Sequence, residues 1–532
     1  MLNCIVTGSN NYNLVKCTLD ILIKFDVTHI IVATNVPCTN DICTKYKSDK
    51  IFFSNKSFLN GNEARNFALE QITSGRVLFL ESGSVLTRKS IDIHISAKES
   101  QVICGLYNRL YDIECDFKDG FANKEYYKRK DNRLHLSNQN TGPWTIWRNN
   151  NISVDVKKIR YAGNFNTVFC VDGVTENALL AFDLYNSGLE FIVSQEAQIE
   201  VYTQLAETFL QQTKLERIFV WFTDKCNYQC RMCRIGQKAY LPLRYSEPTI
   251  ESIKELILVA KEIGISKIEL YGGEMLMRKD LFDAIELCNE YNIETSFVSN
   301  GSLITEDVAK RFVKLHVKDI PISIDAPYEE LNNWIRGENA WNRTLEGIRQ
   351  LKKYGNTFSI FTVVLKQNFH YMSDMIRLAR KLGAESISFQ PISSRQGGKK
   401  YVDFALDYSD IPELKEEIIN AFETADQLKL PIRSRAMMKT IPEYILRSEQ
   451  LSLQKGCILP LHDALFTKTG KLQFCFTDFG LRKLYQKSEW LKFPDVWKSP
   501  SYQALQKLAI TGQCPGCLAN CSDYKYMYND YL

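Results

Sequence analysis

Short apolar runs alternate with stretches of helical spacing along most of the chain. In the first 205 residues the runs are Leu2 to Val6, HIIVATN at 29 to 35 and RVLFLESG at 76 to 83. Between the last two, EARNFALEQI at 63 to 72 places Ala64, Phe67, Ala68 and Ile72 on one helical face. This pattern predicts an open α/β domain. A polar, helix-compatible segment near 195 to 215 leads to a more regular series: RIFVWFT at 217 to 223, KIELYGGE at 267 to 274, ETSFVSNG at 294 to 301, DIPISID at 319 to 325, FSIFTVVL at 358 to 365 and ESISFQPI at 385 to 392. Each strand is followed by a helical stretch, such as Ile250, Ile253, Ile257 and Ala260 at three-to-four spacing. Six consecutive βα units predict a parallel sheet with right-handed crossovers, curved into a partial (β/α)6 barrel with its ligands at the strand C-terminal ends. From about 435 the rhythm stops, and the last hundred residues hold five cysteines and few long apolar runs. Such a thin-cored module calls for a metal staple.

Composition narrows the class without naming a chemistry. The 532 residues carry 66 basic and 62 acidic side chains, a net charge of +4, with 45% hydrophobic residues. Nearly balanced charge gives no reason to expect a nucleic-acid partner. MLNCIVTGSNNYNLVKC at the start lacks the basic and apolar regions of a signal peptide, and nowhere do about 18 apolar residues run together. A cytoplasmic protein without a membrane partner is expected. Sixteen cysteines in a reducing compartment then point to metal or redox chemistry rather than disulfides. Most are scattered, as small buried hydrophobes are. Two groups are not.

The first group is Cys226, Cys230 and Cys233 in CNYQCRMC, directly after a buried strand. Three thiolates on one short loop can hold three irons of a cubane and leave the fourth open to a chelating ligand. The alternative is a zinc knuckle completed by a distant residue, since no histidine lies near the loop. CNYQCRMC after the first strand, GGE after the second, SNG after the third and SID in the fourth together resemble the radical S-adenosylmethionine (radical SAM) superfamily over roughly residues 216 to 435. The resemblance implies a [4Fe-4S] cluster whose open iron chelates S-adenosylmethionine, reductive cleavage to a 5′-deoxyadenosyl radical, and a reductase, flavodoxin or ferredoxin as electron donor. It places Gly272, Gly273 and Glu274 at the ammonium end of the cofactor, and Asn300, Ser323 and Asp325 at its ribose or methionine end. Arg336 in NNWIRGENAW matches a family arginine facing the carboxylate, Gln390 the adenosine, and Met232 stands where many members carry an aromatic residue. For Glu274 the plainer reading is a carboxylate at a helix N-terminus, and for Arg336 a surface ion pair.

The second group is Cys457, Cys475, Cys514, Cys517 and Cys521. Twelve residues separate Cys457 from Gly470, and four separate Gly470 from Cys475, a spacing that resembles the auxiliary-cluster modules called twitch and SPASM. Five thiolates are too few for two fully ligated clusters, so the resemblance implies one auxiliary [4Fe-4S] cluster on four of the five, and two clusters in the protein. A structural zinc site on the same thiolates is the alternative. His462, Asp463, Asp478 and Tyr502 are titratable neighbours in sequence to which no catalytic role is given.

Residues 1 to 205 resemble the family-2 glycosyltransferases of GT-A fold, through NGNEARNFALEQITSGRVLFLESGS at 60 to 84 and VDGVTENALLAFDLYNSG at 171 to 188. Where that family places Asp-x-Asp, this chain has Glu81-Ser82-Gly83, and a lone Glu81 is a poor hard-cation site. Asp172 or Glu176 would be the base of an active version; a degenerate sugar-binding or docking domain is the reading preferred. The expectation is a three-part α/β enzyme: residues 1–205 glycosyltransferase-like, 216–435 the radical SAM barrel, 436–532 the cysteine-rich module. Its substrate, a peptide, saccharide or small metabolite, is not identified. The alternatives are a bifunctional glycosyltransferase and radical enzyme acting on a glycan or glycoconjugate, and a zinc-stabilised binding protein.

Overall fold

The computed structural model describes residues 1–8, 11–35, 45–46, 48–58, 60–112, 127–129, 142–169, 178–204, 215–236, 247–393, 402–447, 459–466, 472–473, 493–499, 502–503 and 506. Among the described residues, nine strands build the N-terminal sheet: β1 (Leu2–Thr7), β2 (His29–Val32), β3 (Ile51–Phe53), β4 (Arg76–Glu81), β5 (Ser84–Val85), β6 (Gln101–Asp112), β7 (Tyr127–Arg129), β8 (Ile152–Asp155) and β9 (Glu190–Gln204). Their order is β3-β2-β1-β4-β8-β6-β9-β5, with β7 added to β6. The four strands β3, β2, β1 and β4 are mutually parallel, and β8 joins β4 antiparallel. Strands β1 and β4 are buried on both faces, as a near-continuous apolar run requires. The helix read from EARNFALEQI spans Gly61–Glu70, capped by the Asn60 side chain; Ala64 and Ala68 are buried while Phe67 is half-buried.

The six strands of the second series appear where the apolar runs put them: β10 (Arg217–Thr223), β11 (Lys267–Gly272), β12 (Glu294–Phe297), β13 (Ile320–Ser323), β14 (Phe358–Val364) and β15 (Ile387–Pro391). All are parallel to their neighbours, β12-β11-β10 in one sheet and β13-β14-β15 in another, bridged by Ser299 and Ile322. The result is a curled half-barrel. In β10, Ile218, Val220 and Phe222 are essentially inaccessible and join the large apolar core, whereas Trp221 lines the concave side. The helix Ile250–Glu262 closes that core with Ile253, Leu256, Ile257 and Ala260, and starts where the Thr249 side chain accepts from Ser252 N.

A seventh parallel strand was not legible in the sequence. β16 (Asp463–Phe466), from the segment after residue 435, pairs parallel with β10 and turns back antiparallel through β17 (Leu472–Gln473). Four residues are too few for a periodicity. What fixes them is tertiary: the Arg217 guanidinium, 4% exposed, makes a two-pronged bond to Asp463 at 3.0 and 2.8 Å.

Helix Arg435–Leu446 crosses the 435/436 boundary and ties the barrel to the N-terminal sheet. Its Glu443 carboxylate accepts from Ala178 N at 2.7 Å and Leu179 N at 3.3 Å, at the start of helix Ala178–Asn186, and pairs with Arg447 at 2.9 Å. Arg447 in turn donates to the carbonyls of Thr145 and Trp147, and Trp144 Nε1 donates to Leu446 O. One apolar core runs from Ile5 and Trp147 to Ile253 and Leu414. Among the described residues no helix is long and apolar enough to cross a membrane.

Candidate cluster and cofactor site

The cysteine loop is held by the turns that end four neighbouring segments. Glu247, ahead of helix Ile250–Glu262, accepts from Thr223 Oγ1 at 2.7 Å and Asp224 N at 2.9 Å and pairs with Lys225, so its carboxylate fixes the exit from β10. Gly273 N donates to Thr223 O and Glu274 N to Lys225 O, at 2.7 and 2.8 Å. A Cβ on Gly272 would lie 2.1 Å from Thr223 O, and one on Gly273 2.0 Å from Lys225 O; Gly272 also has φ +141°. The two glycines are therefore required by the approach of the β11 turn to the cysteine loop itself. Gly273→Ala is expected to displace that loop and to lower 5′-deoxyadenosine formation about 10²-fold, the usual effect of a misplacement near 1 Å. A product assay on the reconstituted variant, alongside its circular dichroism, checks this.

Further along the loop, Asn227 and Ser302 share a closed set of bonds with Asn300: Asn300 Nδ2 donates to Asn227 Oδ1, and Asn227 Nδ2 and Asn300 Oδ1 both meet Ser302 Oγ. Tyr228 is buried, with its hydroxyl on Ala340 O. Arg231 N donates to Ile335 O, and the Cys230 thiol to Arg336 O at 3.7 Å.

These turns surround a cavity of about 330 Å³, in the range of small-molecule sites. Cys226, Cys230 and Cys233 form one wall, with Met232 between them; Gly272, Gly273, Glu274, Asn300, Ser323, Arg336 and Gln390 also line it. Asp325 stands behind the wall. It is fully buried, accepts from Val363 N at 2.8 Å and pairs with Arg336 at 2.8 Å. Arg336 is thus a buried cation between a carboxylate and the thiols, not a surface ion pair.

Burial pushes the Cys230 thiol up to about 12 and raises Cys226, and Arg336 counters both. Glu274, 1% exposed, is raised chiefly by burial; Asn300 N, Leu276 N, Ser299 Oγ and the Arg336 charge oppose this. Its three donors lie at 2.7, 3.2 and 2.9 Å. Glu274 therefore does what the plainer reading asked, capping the 3₁₀ turn Met275–Met277, while also facing the cavity.

Among the described residues, no three His, Cys, Asp or Glu side chains converge on a single ion. A cubane asks for a different geometry, one iron for each thiolate. Three thiols on the wall of a ligand-sized cavity, beside a buried arginine, fit that group.

Residues 220–379 match the family model of the radical SAM superfamily. The protein is a radical SAM enzyme. It is 26% identical over 322 residues to the AdoMet-dependent heme synthase of Oleidesulfovibrio alaskensis, covering 57% of this chain and 80% of that protein. It is 32% identical over 163 residues to a probable GTP 3′,8-cyclase of Thermococcus kodakarensis, covering 30% of this chain and 52% of that one. The crystal structure of Streptococcus suis SuiB is similar with a TM-score of 0.45 at 18% identity, covering 57% and 73% of the two chains. A radical SAM domain implies a [4Fe-4S] cluster and S-adenosylmethionine. Neither the glycosyltransferase activity nor the zinc-stabilised binding protein gains support from these matches.

Several residues of this cavity carried no sequence signal. Glu247 and Asn227 act across 24 and 73 positions, respectively, and nothing in their local pattern marks them. Trp221 and Tyr271, which line the cavity and meet edge to face at 5.2 Å, were legible in principle as the inward positions of β10 and β11. Cys457, Cys475, Cys514, Cys517, Cys521, Asp478, Asp172 and Glu176 lie outside the described residues. Asp463 is committed to Arg217, and His462 and Tyr502 are buried.

Proposed function

We propose that this radical SAM enzyme holds its [4Fe-4S] cluster on Cys226, Cys230 and Cys233 and binds S-adenosylmethionine in the adjoining cavity, to modify a substrate by radical chemistry. The observation that carries the reading is the shared cavity wall of the three thiols, the Gly272-Gly273-Glu274 turn and Arg336. When bound, cluster and cofactor together supply a 5′-deoxyadenosyl radical that takes hydrogen from the substrate. The chain's own residues do the rest. Arg336 favours the thiolate forms and offers a cation to a ligand carboxylate. Glu274 offers carboxylate lone pairs to an ammonium beyond its three internal donors. Asn300 is oriented by Asn227 and Ser302, Ser323 and Gln390 offer polar groups on the strands opposite, and Met232 presents a polarizable face to an adenine. Asp325 keeps Arg336 charged and in place. Anaerobically reconstituted protein with dithionite and S-adenosylmethionine is expected to release 5′-deoxyadenosine; none released would reject the reading.

The C-terminal cysteines hold one auxiliary cluster in this proposal, supported by their number and spacing and by β16, which seats the start of the module on β10. The N-terminal domain acts as a degenerate glycosyltransferase-like unit that recruits a sugar-bearing substrate. The paired ends of β1 and β4 and the helix Gly61–Glu70 supply the buried polar residues Thr7, Glu81, Ser82 and Arg65, with Arg65 Nη2 on Thr7 Oγ1 at 3.3 Å. One carboxylate there does not supply the charge to neutralise a departing nucleotide diphosphate with metal. A screen of UDP-, GDP- and CMP-sugars with Mn²⁺ or Mg²⁺ on the full chain is expected to show no nucleotide release. Metal-dependent release that vanishes in Glu81→Ala would promote the bifunctional reading.

A further inference from the structure

We propose that the floor of the cavity, where Glu269 lies beneath the paired rings of Trp221 and Tyr271, is the substrate subsite and takes an organic ammonium group. The proposal rests on the reading above, in which the other end of the same cavity holds the cluster and S-adenosylmethionine.

The floor follows from the strand register. β10 sends Ile218, Val220 and Phe222 outward into the core, so Phe219 and Trp221 face into the half-barrel. β11 places Glu269 opposite Phe219 and Tyr271 opposite Trp221. Two rows thus cross the sheet. Trp221 and Tyr271 form the row next to the turns, and Phe219 and Glu269 form the row about 7 Å deeper along the strands. Trp221, Glu269 and Tyr271 all line the cavity, as does Phe361 from β14. Trp221 Nε1 donates to Asp224 Oδ1 at 2.9 Å, and the Tyr271 hydroxyl to Phe466 O at 3.1 Å. Both rings are pinned by their polar edges, and what they present to the cavity is aromatic surface.

The charge of the floor is set beneath it. Arg217 lies with its guanidinium 4.6 Å over Phe219, bonds Asp463 at 2.8 Å and stands 3.9 Å from the Glu269 carboxylate. Two carboxylates therefore face one guanidinium, and this end of the cavity carries one negative charge in excess. The excess is turned toward the cavity, since the Glu269 side chain keeps 24% of its surface and those of Asp463 and Arg217 only 10% and 5%. The lining cations, Arg234 and Arg336, belong to the other end: Arg234 follows Cys233 directly, and Arg336 is paired with Asp325 beside the thiols. Among the described residues the cavity is lined by two carboxylates, Glu274 and Glu269. The first is assigned to the cofactor, and the second stands three residues before the end of β11, below the turn that the cofactor residues occupy. A carboxylate under aromatic rings favours an ammonium group twice, through a charge-assisted hydrogen bond and through the negative faces of the rings. A hydroxyl forgoes most of both, and an anion meets like charge.

Benzylammonium, the charged form of benzylamine at neutral pH, is the probe, with benzyl alcohol as its uncharged counterpart and benzoate as its anionic one. Ligand-observed NMR titration of the full chain before reconstitution is expected to show saturable binding that weakens in that order. Glu269→Gln is expected to raise the benzylammonium Kd about tenfold through the lost charge, and to leave that of benzyl alcohol within about twofold, which also reports an intact floor. Tyr271→Leu removes a ring and is expected to weaken both probes. Glu274→Gln, at the cofactor end, is expected to change neither. No saturable benzylammonium binding, equal affinity for the three probes, a Glu269→Gln loss shared equally by benzyl alcohol, or a loss that follows Glu274→Gln in its place would overturn the proposal. Reconstituted wild type that makes no 5′-deoxyadenosine with dithionite would instead reject the cluster assignment, with the Kd comparison still readable.

Discussion

Replacing Cys226, Cys230 and Cys233 together by Ala is expected to abolish 5′-deoxyadenosine formation and to lower the iron content of the reconstituted protein from about eight to about four per chain, one cubane having lost all its thiolates. The effect is the largest available because, in the proposed assignment, the three thiols anchor the group in which the chemistry starts. They line one cavity, and they stand directly after a buried parallel strand, where a ligand of the barrel would bind. Each is held by a separate part of the barrel, so the loop is not expected to unfold when the thiols are removed: Glu247 and the Gly273 turn fix its start, Asn227 and Tyr228 its middle, Arg231 N its end. Iron and sulfide analysis together with product chromatography checks both numbers. Undiminished 5′-deoxyadenosine in the triple variant would end the assignment. Wild type that saturates near four irons with one tight zinc would keep the barrel cluster and reassign the C-terminal cysteines to a structural site.

Removal of the carboxylate behind the wall comes next in size. Asp325→Ala leaves Arg336 buried without its 2.8 Å partner, and breaking a buried pair from one side costs about 3–5 kcal/mol. Asp325 is fully inaccessible, so the carboxylate side of the pair is closed to water. The variant also frees Val363 N, to which the carboxylate is bonded. The expected outcome is a lower midpoint of denaturant unfolding in unreconstituted protein, and the double variant Asp325→Leu/Arg336→Leu is expected to recover most of that stability while remaining inactive. Recovery without activity separates the pair's effect on the fold from its effect on the ligand, since apolar replacement removes the unpaired charge but not the need for a cation near the thiols. A single variant as stable as wild type would show that Arg336 finds another partner.

The sequence alone determined the six strands of the barrel, their order and their parallel sense, because each strand is a buried run whose apolar character does not depend on its neighbours. It determined the position of the thiols too, since a loop directly after a buried parallel strand opens at the strand's C-terminal end whatever the details of packing. Tertiary structure decided what local pattern does not carry. The family resemblance places Gly272 and Gly273 at the ammonium end of the cofactor, whereas their first requirement is room for the carbonyls of Thr223 and Lys225, a contact between segments about fifty residues apart. Asp325 was read as facing the cofactor and reaches the cavity through Arg336. β16, too short for periodicity, is placed by a bidentate bond from Arg217, and Glu443, an ordinary helix residue in sequence, seals the N-terminal sheet to the barrel by capping helix Ala178–Asn186. In each case the deciding interaction is a directional bond to a buried partner distant in sequence, and neither composition nor periodicity encodes the meeting of two such groups.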